Sequence, residues 1–301
     1  MSSLHSLPRK FHTAFPLSTA DPYIPPPPGS KEVGHHLSHA YSAFALSSSD
    51  KGAVVVSDGW GDLLTTHLNP PPGFVTELTD WDYTLDIHPT HVVVRSLLPN
   101  ETPCKTFNQP PHLTFRESTS VYTHTSQALS PHKKIFHSTP SPPYSPDLGF
   151  SSFDSLGGVY SRVSIAVFGD WNLCGKVMGL STYSPPSSPI ITGDMLGKLT
   201  VDSARFEESW IGDKVSLTFA DDKGGYGLGS PGLTKRVIVD SSDKKAVQMC
   251  ADVQRDSESL VLGMLADVRR ETGEADLCVA GGLFLNSVVN GRVLDEKAWK
   301  R

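Results

Sequence analysis

The sequence predicts an α/β fold, and three observations predict it. A short helical pattern at 36–46 is followed by a compact β-branched run, Ala53-Val54-Val55-Val56-Ser57. A long amphipathic pattern at 244–271 is followed by a second short apolar run, Leu277-Cys278-Val279-Ala280. Each run stops at a glycine-bearing turn, Asp58-Gly59-Trp60-Gly61 after the first and Gly281-Gly282 after the second. Helices alternating with strands indicate a layered α/β architecture. Apolar runs without polar alternation suit strands covered on both faces.

Residues 1–30 end in Pro25–Pro28 and Gly29, a composition that stays extended or disordered. The first twenty residues contain no acid and carry Arg9 and Lys10. That is compatible with an organelle transit signal, although a disordered start is the preferred reading. In the first helix Leu37, Ala40, Ala43 and Phe44 fall on one side, and Ser47 to Asp50 break it. Residues 69–150 are punctuated by Pro70–Pro72, Pro110, Pro111 and the prolines between 140 and 146, and read as largely insertion or loop. A strand survives near Thr90–Leu97 around Val92-Val93-Val94. A helix is predicted over Val159–Phe168, a glycine-bearing loop over Gly175–Tyr183, a break over Ser184–Pro189 and a loop over 216–233. The clearest helix, about 244–271, carries Val247, Cys250, Val253, Leu260, Met264, Leu265 and Val268 at helical spacing. Gly273 ends it, and Asn286 to Arg292 opens a further helix.

Composition narrows the function classes. The 301 residues carry a net charge of −6 with both signs interspersed, which argues against a basic nucleic-acid-binding face. The four cysteines form no C-x-x-C pair, so neither a disulfide framework nor a cysteine zinc site is expected, and reduced thiols in a cytoplasmic protein are the default. No apolar run approaches the roughly 20 residues that span a bilayer, so no membrane partner is expected.

The chemistry-bearing segment is Gly34-His35-His36-Leu37-Ser38-His39. Helical residues four apart share a face, with Cβ atoms roughly 5–6 Å apart, so His35 and His39 can hold one metal ion. Zinc proteases use this spacing with Glu after the first histidine; here that position is His36. Asp58 ends the strand that follows the helix and supplies a third ligand if the two pack side by side. Two histidines and a carboxylate suit ferrous iron or another divalent metal. Three clustered histidines can also be a hydrogen-bonded helix start, and spacing alone does not separate iron from zinc. Gly59 and Gly61 lie beyond the carboxyl end of a strand, where α/β sheets present ligands, and free the backbone to approach an anion. Gly281, Gly282 and Asn286 repeat that arrangement, and Lys176 places a cation beside Gly175.

Four segments, in order, resemble the motifs of O-carbamoyltransferases of the nodulation and antibiotic-tailoring type. "HHLSHAYSAF" at 35–44 is similar to their histidine motif and "VVVSDGWGD" at 54–62 to the strand and aspartate loop that follow it. "LGGVYSRV" with "GKVMGLSTY" at 175–183 resembles their central motif, and "LCVAGGLFLNSVVNGRVL" at 277–294 their Gly-Gly/Asn motif. The resemblance implies a fold related to actin, heat-shock chaperone ATPases and sugar kinases (ribonuclease H-like), in the version of the threonylcarbamoyltransferases. It implies iron held by His35, His39 and Asp58, and a nucleotide held in part by the Gly281–Asn286 loop. It further implies transfer of a carbamoyl group to a small-molecule hydroxyl from carbamoyl adenylate, which a separate downstream domain makes from carbamoyl phosphate and ATP. His36 is the candidate base. The family's opening strand and phosphate-contacting loop have no counterpart in 1–32. A fourth, aspartate metal ligand and the adenylate-forming domain are not found before Arg301. Residues 31–301 are therefore expected to be a partial metal-binding domain, unstable or inactive alone. A non-enzymatic relic and a tRNA threonylcarbamoyl transferase are the competing readings.

Overall fold

The structure is a computed structural model and describes residues 29, 31–59, 61–111, 113–140, 155–168, 173–202, 241–296 and 299. The Pro-rich start up to residue 28 and the predicted loop at 216–233 lie outside the described residues. The first half of the chain contains β1 (Glu32–Val33), α1 (His35–Leu46), β2 (Lys51–Ser57), α2 (Leu64–Leu68), β3 (Phe74–Val75), β4 (Tyr83–Ile87), β5 (His91–Ser96), β6 (Leu113–Thr125) and β7 (Leu129–Pro140). The second contains α3 (Leu156–Phe168), α4 (Cys174–Leu180), β8 (Ile191–Gly193), β9 (Leu199–Val201), α5 (Lys244–Thr272), β10 (Leu277–Ala280) and α6 (Ser287–Asp295).

A six-stranded mixed sheet in the order β10-β2-β6-β7-β5-β4 organises the molecule. β10 runs parallel to β2, with Leu277 opposite Ala53 and Ala280 opposite Val56. The neighbouring pairs across the rest of the sheet are antiparallel. The unbroken apolar run of β2 follows from its position. Ala53 and Val55 join the core built with α3, α4, α5 and α6 on one face. Val54 and Val56 meet Leu37 and Ala40 of α1 on the other. A third cluster, including Leu64, Trp81, Tyr83, Val92, Phe115 and Phe136, covers the β4–β5 side.

The expected α/β class is observed, and α1, β2, α3, α5 and β10 fall where the pattern put them. The strand expected near Thr90–Leu97 is β5, but the loop expected over much of the rest of 69–150 is corrected: β4, β6 and β7 also lie there, so that this tract supplies four of the six sheet strands. The Ser/Thr-rich tract disguised a long hairpin, because threonine and valine both suit a pleated surface. Its prolines sit where strands tolerate them. Pro110 and Pro111 precede β6, Pro131 lies just inside β7 and Pro140 closes it. The glycine-bearing loop expected at Gly175–Tyr183 is instead α4 with a 3-10 turn at Ser181–Tyr183. Two glycines cost that helix about 1 kcal/mol each. Burial of Val177 and Leu180 in the core shared with α5 outweighs this.

β6 carries a register shift between Glu117 and Thr119. Simple alternation would put Glu117 and Ser120 on opposite faces of the sheet. The extra residue, Ser118, brings them to the same face, under α1, where the Ser120 hydroxyl donates to Glu117 Oε1 at 3.1 Å.

Candidate metal centre

α1 starts at the carboxyl edge of the sheet with no capping side chain of its own. Asp62 fills that role from the turn after β2: its Oδ2 accepts the His35 N–H at 2.6 Å. A carboxylate there satisfies an orphan donor and complements the positive end of the helix. Leu37 and Ala40 face the sheet, which rotates His35 and His39 together to the open flank. Their rings meet edge to face with centroids 4.9 Å apart.

Asp58, the residue after β2, reaches both. Its Oδ2 lies 3.1 Å from His35 Nε2 and 3.5 Å from His39 Nε2. Its Oδ1 accepts the Gly59 N–H at 2.7 Å. The ligand atoms of His35, His39 and Asp58 all lie within 4.8 Å of one another. Burial disfavours ionisation of Asp58, but hydrogen bonds from the two histidines and the Gly59 amide hold its carboxyl well below the usual range. The hydrogen bond to Asp58 raises the His35 pKa against the opposing effect of burial. Two imidazole nitrogens and one carboxylate oxygen, converging on a partly exposed flank, form a donor set that fits a divalent cation with coordination positions left open.

The parallel register of β10 brings the second glycine turn to the same place. Gly281 lies beside Ser57 with φ +95, and a Cβ there would sit 2.3 Å from the Ser57 carbonyl oxygen. A Cβ on Gly282 would meet Asp58 Oδ1 at 2.8 Å. On the other side of the crevice α3 comes close, since a Cβ on Gly157 would lie 2.8 Å from the Gly59 nitrogen. Asp58, Gly59, Gly281 and Gly282 thus share one crevice at the carboxyl ends of two parallel strands, where such sheets bind ligands.

Other expected positions go elsewhere. Gly61 is turned inward: its N–H donates to the Glu117 carbonyl, and its Cα faces the Glu117 carboxylate and the His36 ring. Asn286 caps α6, its Oδ1 accepting from the Val288 and Val289 amides at 3.1 Å each. Its Nδ2 donates to Gln254 Oε1 at 2.9 Å, the atom that also accepts from the Tyr160 hydroxyl. Lys176 is exposed on α4, with Nζ 5.9 Å from the centre of the Phe168 ring. His36 as a base is corrected by burial. Its ring is 0 % exposed, burial lowers its pKa to about 4, and its Nδ1 pairs with Ser120 Oγ at 2.9 Å. It locks α1 onto β6.

Behind the histidine pair lies a polar cluster that the sequence pattern did not reveal. Lys134 on β7 is fully buried and ion-paired with Glu117 and Glu77. Tyr122 donates to Glu77 Oε1 at 2.7 Å. Burial works against the charge on Lys134, yet the two carboxylates keep its pKa raised. His67 on α2 and Asp62 complete the surroundings of Glu117. These residues escaped because most belong to the tract that read as loop.

A curated relative, the uncharacterized protein sll1178 of Synechocystis sp., is 26% identical over 267 residues. That match takes in 88% of this chain but only 32% of the relative, so the chain spans about a third of that protein's length. A family model described as "Carbamoyltransferase N-terminus" matches residues 28–301, a span that includes α1, β2 and the Gly281–Gly282 turn. With a match covering nearly the whole chain, and the histidine pair, Asp58 and the glycine turns assembled at one edge of the sheet, the chain belongs to the carbamoyltransferase N-terminus family.

Proposed function

We propose that the chain is the metal-binding part of an O-carbamoyltransferase, and that it passes a carbamoyl group from carbamoyl adenylate to the hydroxyl of a small molecule. The supporting observation is the convergence of His35 Nε2, His39 Nε2 and Asp58 Oδ2 beside the Gly281–Gly282 turn in a chain of this family. The proposed fold kinship with actin, chaperone ATPases and sugar kinases belongs to the same reading.

In this reading His35, His39 and Asp58 hold ferrous iron or another divalent ion. When bound, such an ion supplies Lewis acidity toward a carbamoyl oxygen. The protein's own groups do the rest. The Asp62 carboxylate fixes the first turn of α1, and with it the direction of His35. The Gly59 amide orients Asp58 by holding its second oxygen. The backbone at Gly281 and Gly282 packs directly against Ser57 and Asp58, which in this reading sets the adenylate-binding turn beside the metal ligand. The acceptor hydroxyl must also lose a proton to a nearby base; burial removes His36 from that role.

The test supplies metal-loaded protein with carbamoyl adenylate and a panel of small alcohols and sugars, and reads carbamate esters by mass spectrometry. With the adenylate supplied ready-made no adenylate-forming step is needed, so wild type is expected to form product, in contrast to the inactivity expected from the sequence, and Asp58→Asn to lose it. Product formed at equal rates by wild type, His39→Ala and Asp58→Asn sinks the reading.

A further inference from the structure

Asp62, His67 and Glu117 form a second group whose ligand atoms lie within 4.8 Å of one another. None of the three is in the histidine–Asp58 set. His67 Nε2 is 3.7 Å from Glu117 Oε2 and 4.0 Å from Asp62 Oδ2. The His67 and Glu117 side chains are 0 % exposed, whereas that of Asp62 is 28 % exposed. His67 Nε2 and Glu117 Oε2 are buried without a hydrogen-bond partner. An orphaned carboxylate oxygen and an orphaned imidazole nitrogen facing each other need a physical reason.

The hydrogen bonds around them define what is missing. Thr76 Oγ1 spends its single proton on Glu77 Oε2 and accepts from the Leu78 amide. His67 Nδ1 is paired with Thr76 Oγ1 at 2.7 Å, which leaves Nε2 as the ring nitrogen without a partner. That nitrogen faces two carboxylate oxygens, Glu117 Oε2 and Asp62 Oδ2. Glu117 Oε1 is already served by Lys134 and Ser120, so Oε2 is the atom left over. Three possible ligand atoms meet with no hydrogen bond between them. A proton on Nε2 does not resolve this, because 3.7 and 4.0 Å exceed hydrogen-bond length. A metal ion does, since two ligand bonds of about 2.0–2.2 Å span separations up to about 4.2 Å. The charges agree: Lys134 offsets one of the buried carboxylates Glu77 and Glu117 and leaves the other, with Asp62, uncompensated.

We infer that Asp62, His67 and Glu117 bind a second divalent cation, behind the His35–His39–Asp58 site and reached past Asp62. The two sites are linked through Asp62, whose Oδ2 also receives the His35 N–H. Occupancy of the inner site therefore sets the position of the first turn of α1.

Metal-free full-length chain titrated with Co2+, with bound metal measured by elemental analysis, tests this. Wild type is expected to take up two equivalents, and both His39→Ala and His67→Phe one. Asp62→Asn keeps an acceptor for the His35 amide and is expected to weaken one equivalent about 10-fold or more, the scale on which a site's supporting groups tune metal affinity. A single wild-type equivalent, lost in His39→Ala and kept in His67→Phe, overturns the second site while the first stands. One equivalent lost in His67→Phe but untouched in His39→Ala supports the inner site and defeats the outer one. Circular dichroism checks the fold. If His67→Phe does not fold, two full-affinity equivalents in Asp62→Asn, or a single wild-type equivalent that His39→Ala loses, still refute the inference.

Discussion

Gly281 and Gly282 stand side by side and are glycine for different reasons. At Gly281 the backbone has φ +95, and an added Cβ would press on the Ser57 carbonyl oxygen, which belongs to the strand backbone and cannot yield. Gly281→Ala is therefore expected to destabilise the fold by about 2–3 kcal/mol, the cost of a strained backbone combined with a clash. At Gly282 the obstructing atom is Asp58 Oδ1, the end of a short side chain that can swing. Gly282→Ala is expected to leave stability within about 1 kcal/mol, as for substitutions outside the core. It should nonetheless lower Co2+ affinity at the His35–His39–Asp58 site, because the carboxylate is pushed from its Gly59 amide. Denaturant melts and metal titration of the two variants check both statements. Equal stability loss with unchanged Co2+ affinity in Gly282→Ala would show that the turn does not position Asp58.

Between elements, the strongest specification is the buried ion pair that ties β7 to β6 and to the turn after β3. Lys134→Met removes the cation and leaves Glu77 and Glu117 buried together. Breaking a buried pair from one side costs about 3–5 kcal/mol, far more than the pair itself contributes against an apolar replacement. A chemical-denaturation midpoint that moves by less than 1 kcal/mol equivalent would mean that water reaches this cluster. The same cluster shows where legibility stopped. The i, i+4 histidines were readable because a helix period converts spacing into geometry, and Asp58 because a strand followed by glycine announces its own end. Gly282 beside Asp58 was not readable: it depends on β10 pairing parallel to β2 across more than two hundred residues of chain. Glu117 needed a register shift at Ser118 that no alternation predicts. Lys134 looks like a surface residue in any hydropathy reading, and only its two carboxylate partners make its burial tolerable. Asn286 was readable as important, but its cap on α6 was not part of that reading.

The molecule as a whole should be more fragile in mild acid than its net charge suggests. His137 on β7 joins the sheet to the β8–β9 hairpin. Its Nδ1 lies 2.7 Å from Ser118 Oγ and its Nε2 3.2 Å from the Gly197 carbonyl oxygen. Burial, with a smaller contribution from His91, lowers its pKa to about 4. The unfolded chain presents the same ring near the ordinary value of about 6.5. Between these two values the unfolded state holds a proton that the folded state refuses, so stability rises with pH across that window and is lost as pH falls through it. A difference of about 2.5 pH units at about 1.4 kcal/mol each corresponds to about 3.5 kcal/mol, complete once the pH is below about 4. His137→Gln retains a donor and an acceptor for Gly197 and Ser118 and has no proton to take up. Unfolding free energies of metal-free wild type and His137→Gln, measured from pH 7 to 4, should therefore converge as the pH falls, because the wild type loses one proton's worth of slope that the variant does not. Parallel curves for two folded proteins would mean that His137 protonates as readily in the native hairpin junction as in water, and that this junction opens well before the sheet does.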